Sequence, residues 1–209
     1  MNGFERRKER TKENIRQAAL ELFKVHGVKK VSVSDIAAKA AVSPVTIYNH
    51  YGSKDELVRD VAKQFILSLV DRYQAVMQSD ASFMDKLEWI IFDKTEIGRQ
   101  YNAEFLQTMI SNDPELREFV ASIFENRVSN MMCDLFQEGK RQGYVNPDLS
   151  DETMIIYHRI FRQGVMSYPG LFEAAGQNED LVAQLSNLYL YGVMGKRDRV
   201  STPMDREKE

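Results

Sequence analysis

VSVSDIAAKAAVSPVTIYNHYGSKDEL, residues 31–57, decides how this 209-residue chain is read. Three helix starts lie within it, each opened by a serine whose hydroxyl can accept the orphan N–H groups of a first turn. Ser32 with Asp35 resembles a capping box. Ser43 precedes Pro44 at the first helical position, where a missing N–H costs nothing, and Ser53 with Glu56 is an S-x-x-E box. The spacing predicts helices over about 33–40, 44–50 and 54–78. Between the first two, Ala41 and Val42 leave room only for the tight turn of a helix-turn-helix. By the helical period, Ile36, Ala37, Ala40, Val42 and Ile47 fit one small shared core. That leaves Val45, Thr46, Tyr48, Asn49 and His50 largely outward on the second helix, a face able to read bases and hold phosphates. A plain helical hairpin with a solvated polar side would show the same spacing.

Charge separates the two readings. Residues 1–54 carry eleven Lys and Arg against five acids, a net of +6, whereas the remaining 155 carry 17 basic and 26 acidic groups, a net of −9. Positive charge gathered in the first quarter of a mildly acidic chain is the electrostatic footprint of a nucleic-acid domain attached to something else.

At this point the residues carry a resemblance. The segments ALELFKVHGVKKVSVSDIAAKAAVS (19–43) and PVTIYNHYGSKDEL (44–57) resemble the DNA-binding domain of the TetR family of bacterial transcriptional regulators, over about residues 8–58. Thr46, Tyr48, His50, Tyr51, Lys54 and Leu57 fall at the family's spacing. Ala41 departs from it, since the family more often has glycine in that turn. If the position needs a left-handed backbone, alanine there costs roughly 1 kcal/mol.

The resemblance implies roles position by position. Val45 and Thr46 would meet base edges near the start of the recognition helix, Val45 on a thymine methyl and Thr46 on a base or a phosphate. Asn49 is equipped to bond an adenine edge. Tyr48 and His50 would hold backbone phosphates, and Lys54 would clamp a phosphate beside the exposed amides of the following helix. Ser32, Ser34 and Ser43 are further phosphate candidates, with capping as an equal explanation. The basic leader, including Arg7 and Lys8, either reaches a neighbouring minor groove or is a solvated, frayed terminus.

The expected fold is all-α. It comprises an N-terminal three-helix DNA-binding domain (1–53), a C-terminal helical domain for ligand binding and dimerisation (54–195), and a charged tail (196–209) that does not fold. The body supports this independently, because apolar residues recur at helical spacing through it and nothing alternates like a sheet. Asp113-Pro114-Glu115 opens a helix expected to reach Gln142, with Gly143 as its stop. Ser150-Asp151-Glu152 opens another, to about Met166; a short helical piece follows at 170–175, and Asn178-Glu179-Asp180 begins the last, to about Met194.

No apolar run nears the roughly 18 residues of a membrane span, and no signal core follows the charged N-terminus. Cys133 stands alone, which excludes an internal disulfide. The expectation is a cytoplasmic protein. An enzyme is a weak reading: His26, His50 and His158 have no His or Cys at metal-ligand spacing, and no H-E-x-x-H, G-x-S-x-G or P-loop occurs. No catalytic residue, metal or cofactor is expected.

A recognition helix of this size reads few base pairs, so specific binding calls for two half-sites, a near-palindromic double-stranded operator and a two-fold dimer. The helices at about 153–166 and 180–194 supply candidate dimer faces: Met154, Ile155, Ile160, Phe161 and Val165 with Gly164 on the first, and Leu181, Leu185, Leu188 and Gly192 on the second. Packing inside one subunit is the alternative for both stripes. The resemblance further implies that the Phe- and Met-rich segment 83–142 surrounds a pocket for an apolar or amphipathic small-molecule effector, against which stands the plainer reading of each of these residues as core. Trp89, Tyr101, Phe105, Met109, Tyr157, His158 and Arg162 are the candidate contacts. The functional expectation is a repressor released by that effector. A DNA binder without a ligand is the first alternative, and a helical adaptor or enzyme the second.

Overall fold

The computed structural model describes residues 3–109, 113–168, 170–171, 174, 178 and 180–192. Its elements are α1 (Gly3–His26), α2 (Val33–Lys39), α3 (Pro44–Tyr51), α4 (Lys54–Met77), α5 (Phe83–Gln100), α6 (Ala103–Thr108), α7 (Pro114–Ile123), a π-helical turn (Phe124–Val128), α8 (Ser129–Arg141), α9 (Asp151–Ser167) and α10 (Leu181–Tyr191). The fold is all-α. The short piece expected at 170–175, the end of the last helix beyond 192 and the charged tail lie largely or wholly outside the described residues.

Local chemistry sets each boundary. Ser32 accepts the Asp35 N–H while the Asp35 carboxylate accepts the Ser32 N–H at 2.8 Å, so a reciprocal capping box forms at α2, as it does at α5 between Ser82 and Asp85. Ser53 caps α4 through the Glu56 N–H alone, because the Glu56 carboxylate turns instead to Arg59 at 2.6 Å. Gly52 closes α3 with φ +75, a left-handed conformation that glycine adopts without penalty. Ala41 takes the same region at φ 53 in the turn between α2 and α3.

The helix expected from 114 to 142 forms as three joined pieces, with the π-helical turn as the irregularity between α7 and α8. Periodicity carries no mark of one extra residue in a turn, so this feature was invisible in the sequence.

Two apolar clusters organise the molecule. The first gathers Ile15 and Phe23 of α1, Ile36 of α2 and Ile47 of α3 against Leu57, Val61 and Phe65 of α4, and Phe105 of α6 completes it. Ile36, Ile47, Leu57 and Phe105 are all fully buried, and burying each stabilises the fold by about 1.5–3 kcal/mol. The core of the first three helices is therefore finished by residues beyond position 53. A second cluster joins Phe83 and Leu87 of α5, Leu135 and Phe136 of α8, Met154 of α9 and Leu190 of α10. The helix α4 links the two, with its N-terminal half in the first cluster and Met77 at its far end packed against the second.

Candidate nucleic-acid interface and ligand cavity

The outer face of α3 is built from its first turn. Pro44 sets the entry, Ser43 caps it, and full burial of Ile47 fixes which side faces away from the core. Val45 and Tyr48 are then large side chains standing in solvent, 65% and 50% exposed, and Asn49 is exposed beside them. An apolar side chain held out in water gains nothing in the free protein, so Val45 suits a partner surface such as a thymine methyl.

Other candidates are already engaged. The Thr46 hydroxyl lies 2.9 Å from that of Ser43, so both belong to the cap. Ser32 likewise bonds Asp35 at 2.6 Å. Ser34 is exposed and takes no part in the α2 cap, which leaves it better placed for a phosphate than the two capping serines. The Lys54 ammonium donates to the Val28 carbonyl at 2.7 Å. One of its three donors thus ties α4 to the loop after α1, and two remain for an anion.

His50 is half-buried rather than outward, with its Nδ1 enclosed and without a partner. Burial and the nearby Lys12 and Lys8 push its pKa below the usual histidine value, so at neutral pH it would meet a phosphate as a neutral N–H donor. Arg7 and Lys8 lie exposed on the opening turns of α1. The basic leader is helical from Gly3 onward, not a frayed or extended arm, because Thr11 bonds the Arg7 carbonyl and Arg16 reaches back to Glu9 and Glu13.

A cavity of about 310 Å³ lies in the body, within the range of small-molecule sites. Leu69 and Tyr73 of α4 form one wall, and Lys94, Ile97 and Gly98 of α5 another. Leu106 and Met109 close the side toward α6. From α9 come His158, Phe161, Arg162 and Val165, and from α10 Leu181, Val182, Leu185 and Ser186. Most of this lining is apolar, with the charged groups confined to Lys94 and Arg162.

Of the seven effector candidates, Met109, His158 and Arg162 border the cavity. Trp89 packs edge-on against Tyr73, one layer behind it. Tyr101 and Phe105 stack with each other and meet Phe65 tilted and edge-on in the first cluster, and the Lys24 ammonium covers the Tyr101 ring. Tyr157 stacks on Tyr189 and donates to its carbonyl at 3.0 Å. Aromatic content alone could not separate these packing roles from lining roles. Lys94 escaped notice because one lysine on an amphipathic helix looks solvated; it is exposed, yet it borders the cavity, and the groups packed around it push its pKa down by desolvation.

The polar end of the cavity is ordered. His158 Nδ1 and the Tyr189 hydroxyl are 2.7 Å apart, and the imidazole stacks on Phe124 of the π-helical turn at 5.1 Å. The Arg162 guanidinium lies 4.1 Å from the centroid of the same Phe124 ring, with its Nε buried and unpaired. Burial first, then Lys94 and Arg162, lower the His158 pKa to about 4, so it is neutral at physiological pH. Cys133 is part-buried, and burial together with Asp151 and Asp134 raises its pKa, which makes it a poor nucleophile. No described helix is long and apolar enough to cross a membrane.

Comparison with known proteins agrees with this geometry. The family described as bacterial regulatory proteins, tetR family, matches residues 15–61. The chain is 28% identical over 151 residues to the HTH-type transcriptional repressor KstR2 of Mycolicibacterium smegmatis, covering 71% of this chain and 74% of that protein. It is 22% identical to the HTH-type transcriptional regulator UidR of Escherichia coli, over 72% of this chain and 76% of that one. Among solved structures it shares the fold of FadR from Bacillus subtilis, captured with stearoyl-CoA, at TM-score 0.60, 21% identity and coverage of 86% and 95%. It also shares the fold of reduced E. coli NemR, at TM-score 0.65, 11% identity and coverage of 88% and 97%. With the helix-turn-helix face, the basic head and these relatives in agreement, residues 15–61 form a DNA-binding domain of the TetR family of bacterial transcriptional regulators.

Proposed function

We propose that this protein is a homodimeric repressor that holds a near-palindromic operator through α3 and lets go when a small molecule enters the body cavity. The observation that carries this reading is the course of α4. Lys54 in its first turn is bonded to the head, and Leu69 and Tyr73 further along line the cavity. Nineteen residues at 1.5 Å each put Lys54 and Tyr73 about 28 Å apart on one stiff rod. A ligand that favours a different seating of Tyr73 therefore shifts the head as well. Coupling of about 1–3 kcal/mol suffices for regulation, and it is reciprocal: operator must weaken ligand binding as much as ligand weakens operator binding.

The proposed DNA contacts are Val45, Thr46 and Asn49 for bases, and Tyr48, His50, Lys54 and Ser34 for the backbone, with Ser32, Ser43, Arg7 and Lys8 at the margins. The dimer is proposed through α9 and α10. Ile156, Ile160 and Leu188 are 48%, 67% and 70% exposed, and a side chain added at Gly164 would meet nothing within 4 Å. The stripe expected on α10 divides, because Leu181 and Leu185 line the cavity of their own subunit while Leu188 faces out. That FadR of B. subtilis has been captured with stearoyl-CoA supports a ligand for this body too. A regulator with these properties works in the cytoplasm.

The test is a mobility-shift titration on DNA flanking the protein's own gene, at rising salt, with wild type and Tyr48→Ala. Specific binding that steepens with falling salt and weakens in the variant is expected. Wild type and variant binding all fragments alike would refute the reading.

A further inference from the structure

We infer that the cavity takes an amphiphile with a compact anionic head, a carboxylate held between Lys94 and Arg162, and an apolar body lying along α10. This rests on the ligand-gated reading and specifies its ligand.

The argument starts from an imbalance of charge. Lys94 and Arg162 both border the cavity, and among the described residues neither has a carboxylate within 4.0 Å. The carboxylate next to Lys94 in sequence is committed elsewhere: Asp93 accepts from Arg72 at 3.1 Å and is hydrogen-bonded to Tyr73. Arg162 Nε is enclosed without a partner, a donor whose desolvation is uncompensated in the free protein. Two cations bordering one largely apolar cavity, one of them with a buried unpaired donor, favour an anion between them.

The surroundings hold that end rigid. Arg162 is seated on the Phe124 ring of the π-helical turn, and the same ring stacks on His158. A π-helical insertion of this kind is a frequent feature of functional sites. Burial chiefly depresses the His158 pKa, and Lys94 and Arg162 both add to the effect, which sets the two cations near the same imidazole. Away from this end the walls are mainly Val165, Leu181, Val182 and Leu185, with the Ser186 hydroxyl beside them as a neutral polar group. A neutral amphiphile would leave both cations unpaired, and a cationic one would meet like charge. A planar carboxylate matches a guanidinium fork and an ammonium together.

The test is calorimetric titration of the full chain with decanoate, decan-1-ol and decanoyl-coenzyme A, on wild type, Lys94→Met, Lys94→Arg and Arg162→Met. Decanoate should bind wild type about tenfold or more tighter than decan-1-ol, the size of a charge-assisted contact. Lys94→Met and Arg162→Met should reduce that preference while leaving decan-1-ol affinity unchanged, and Lys94→Arg should restore it. Equal affinity for decanoate and decan-1-ol, a preference indifferent to all three substitutions, or no saturable binding by decanoate overturns the proposal. Tighter binding of the coenzyme A thioester than of decanoate overturns the carboxylate by moving the anion to the phosphates. Operator release by decan-1-ol with no charge preference removes the anionic head and keeps ligand gating. Lys94-dependent decanoate binding with no effect on operator affinity keeps the anion site and removes gating.

Discussion

Arg59 of α4 and Asp113 at the start of α7 form a two-point ion pair, with the guanidinium Nη2 and Nε 2.8 and 3.2 Å from Asp113 Oδ2. The other oxygen of the same carboxylate caps α7 by accepting the Leu116 N–H at 2.8 Å. One side chain therefore both starts α7 and fastens it to the helix shared by head and cavity. The two roles separate by substitution. Asp113→Ala loses the cap and should destabilise the fold by about 1 kcal/mol in urea unfolding, whereas Asp113→Asn keeps a capping oxygen and should lose clearly less. The hydrogen bond from Arg59, then the cap, lowers the Asp113 pKa. Its contribution is present above the ordinary carboxylate pKa and fades as pH falls through the folded value, so the gap between wild type and Asp113→Asn should close in acid. A gap that persists at low pH would argue against the ion pair.

Ala41 sits at φ 53 in the turn before the recognition helix. Left-handed backbone costs a residue with a Cβ about 1–2 kcal/mol, while glycine adds roughly 0.5–1 kcal/mol of chain entropy to be lost on folding. The first exceeds the second. Ala41→Gly should raise stability by about 0.5–1 kcal/mol, read as a higher Tm, with operator affinity unchanged or improved. A lower Tm would mean the turn gains more from alanine's rigidity than it loses to strain.

How much of this was legible depends on range. Ser32, Ser43, Ser53 and Pro44 act within four residues, so the helix starts and the outer face of α3 could be read directly. Ala41 was legible as a departure whose cost depended on one angle. The cavity was less so, because lining is decided by helices distant in sequence. Phe105 and Tyr101 look like any pocket aromatic until α6 packs against α1 and α4, and nothing marks Lys94 as a cavity residue until α9 and α10 come to face it. Reciprocal bonding also escaped the pattern: S-x-x-E at Ser53 reads as a box, yet Arg59 one turn on captures the glutamate.

The recognition face predicts a division between affinity and sequence preference. Tyr48 is exposed and carries a single hydroxyl, suited to a phosphate, whereas Asn49 offers the paired donor and acceptor that match an adenine edge. Tyr48→Phe should weaken binding to all operator variants by a similar factor. Asn49→Ala should lose about 1–3 kcal/mol on the preferred site and much less on sites altered at one base pair, relaxing preference there. Titration against a panel of single-base operator variants separates the two patterns. Uniform weakening by Asn49→Ala would place it among the backbone contacts.

His158 supplies a pH dependence with a definite sign. Its pKa is about 4 in the folded state against 6.5 for a free side chain, chiefly from burial, with Lys94 and Arg162 adding to it. The unfolded chain thus binds the proton more readily. The neutral imidazole's full contribution is present above pH 6.5 and is lost as pH falls toward 4. A shift of this size corresponds to an order of 3 kcal/mol, reduced by whatever solvent the cavity admits. Stability from urea unfolding should therefore decline between pH 7 and 4.5, and His158→Gln should flatten that decline while leaving the carboxylate-dependent fall below it. The imidazole C–H resonances give a second reading: they should stay at their neutral position at pH 5.5, where an exposed histidine is mostly charged. A His158 resonance titrating near 6.5 would show that the ring is open to water. It would also remove one of the signs that Lys94 and Arg162 act on the same enclosed space.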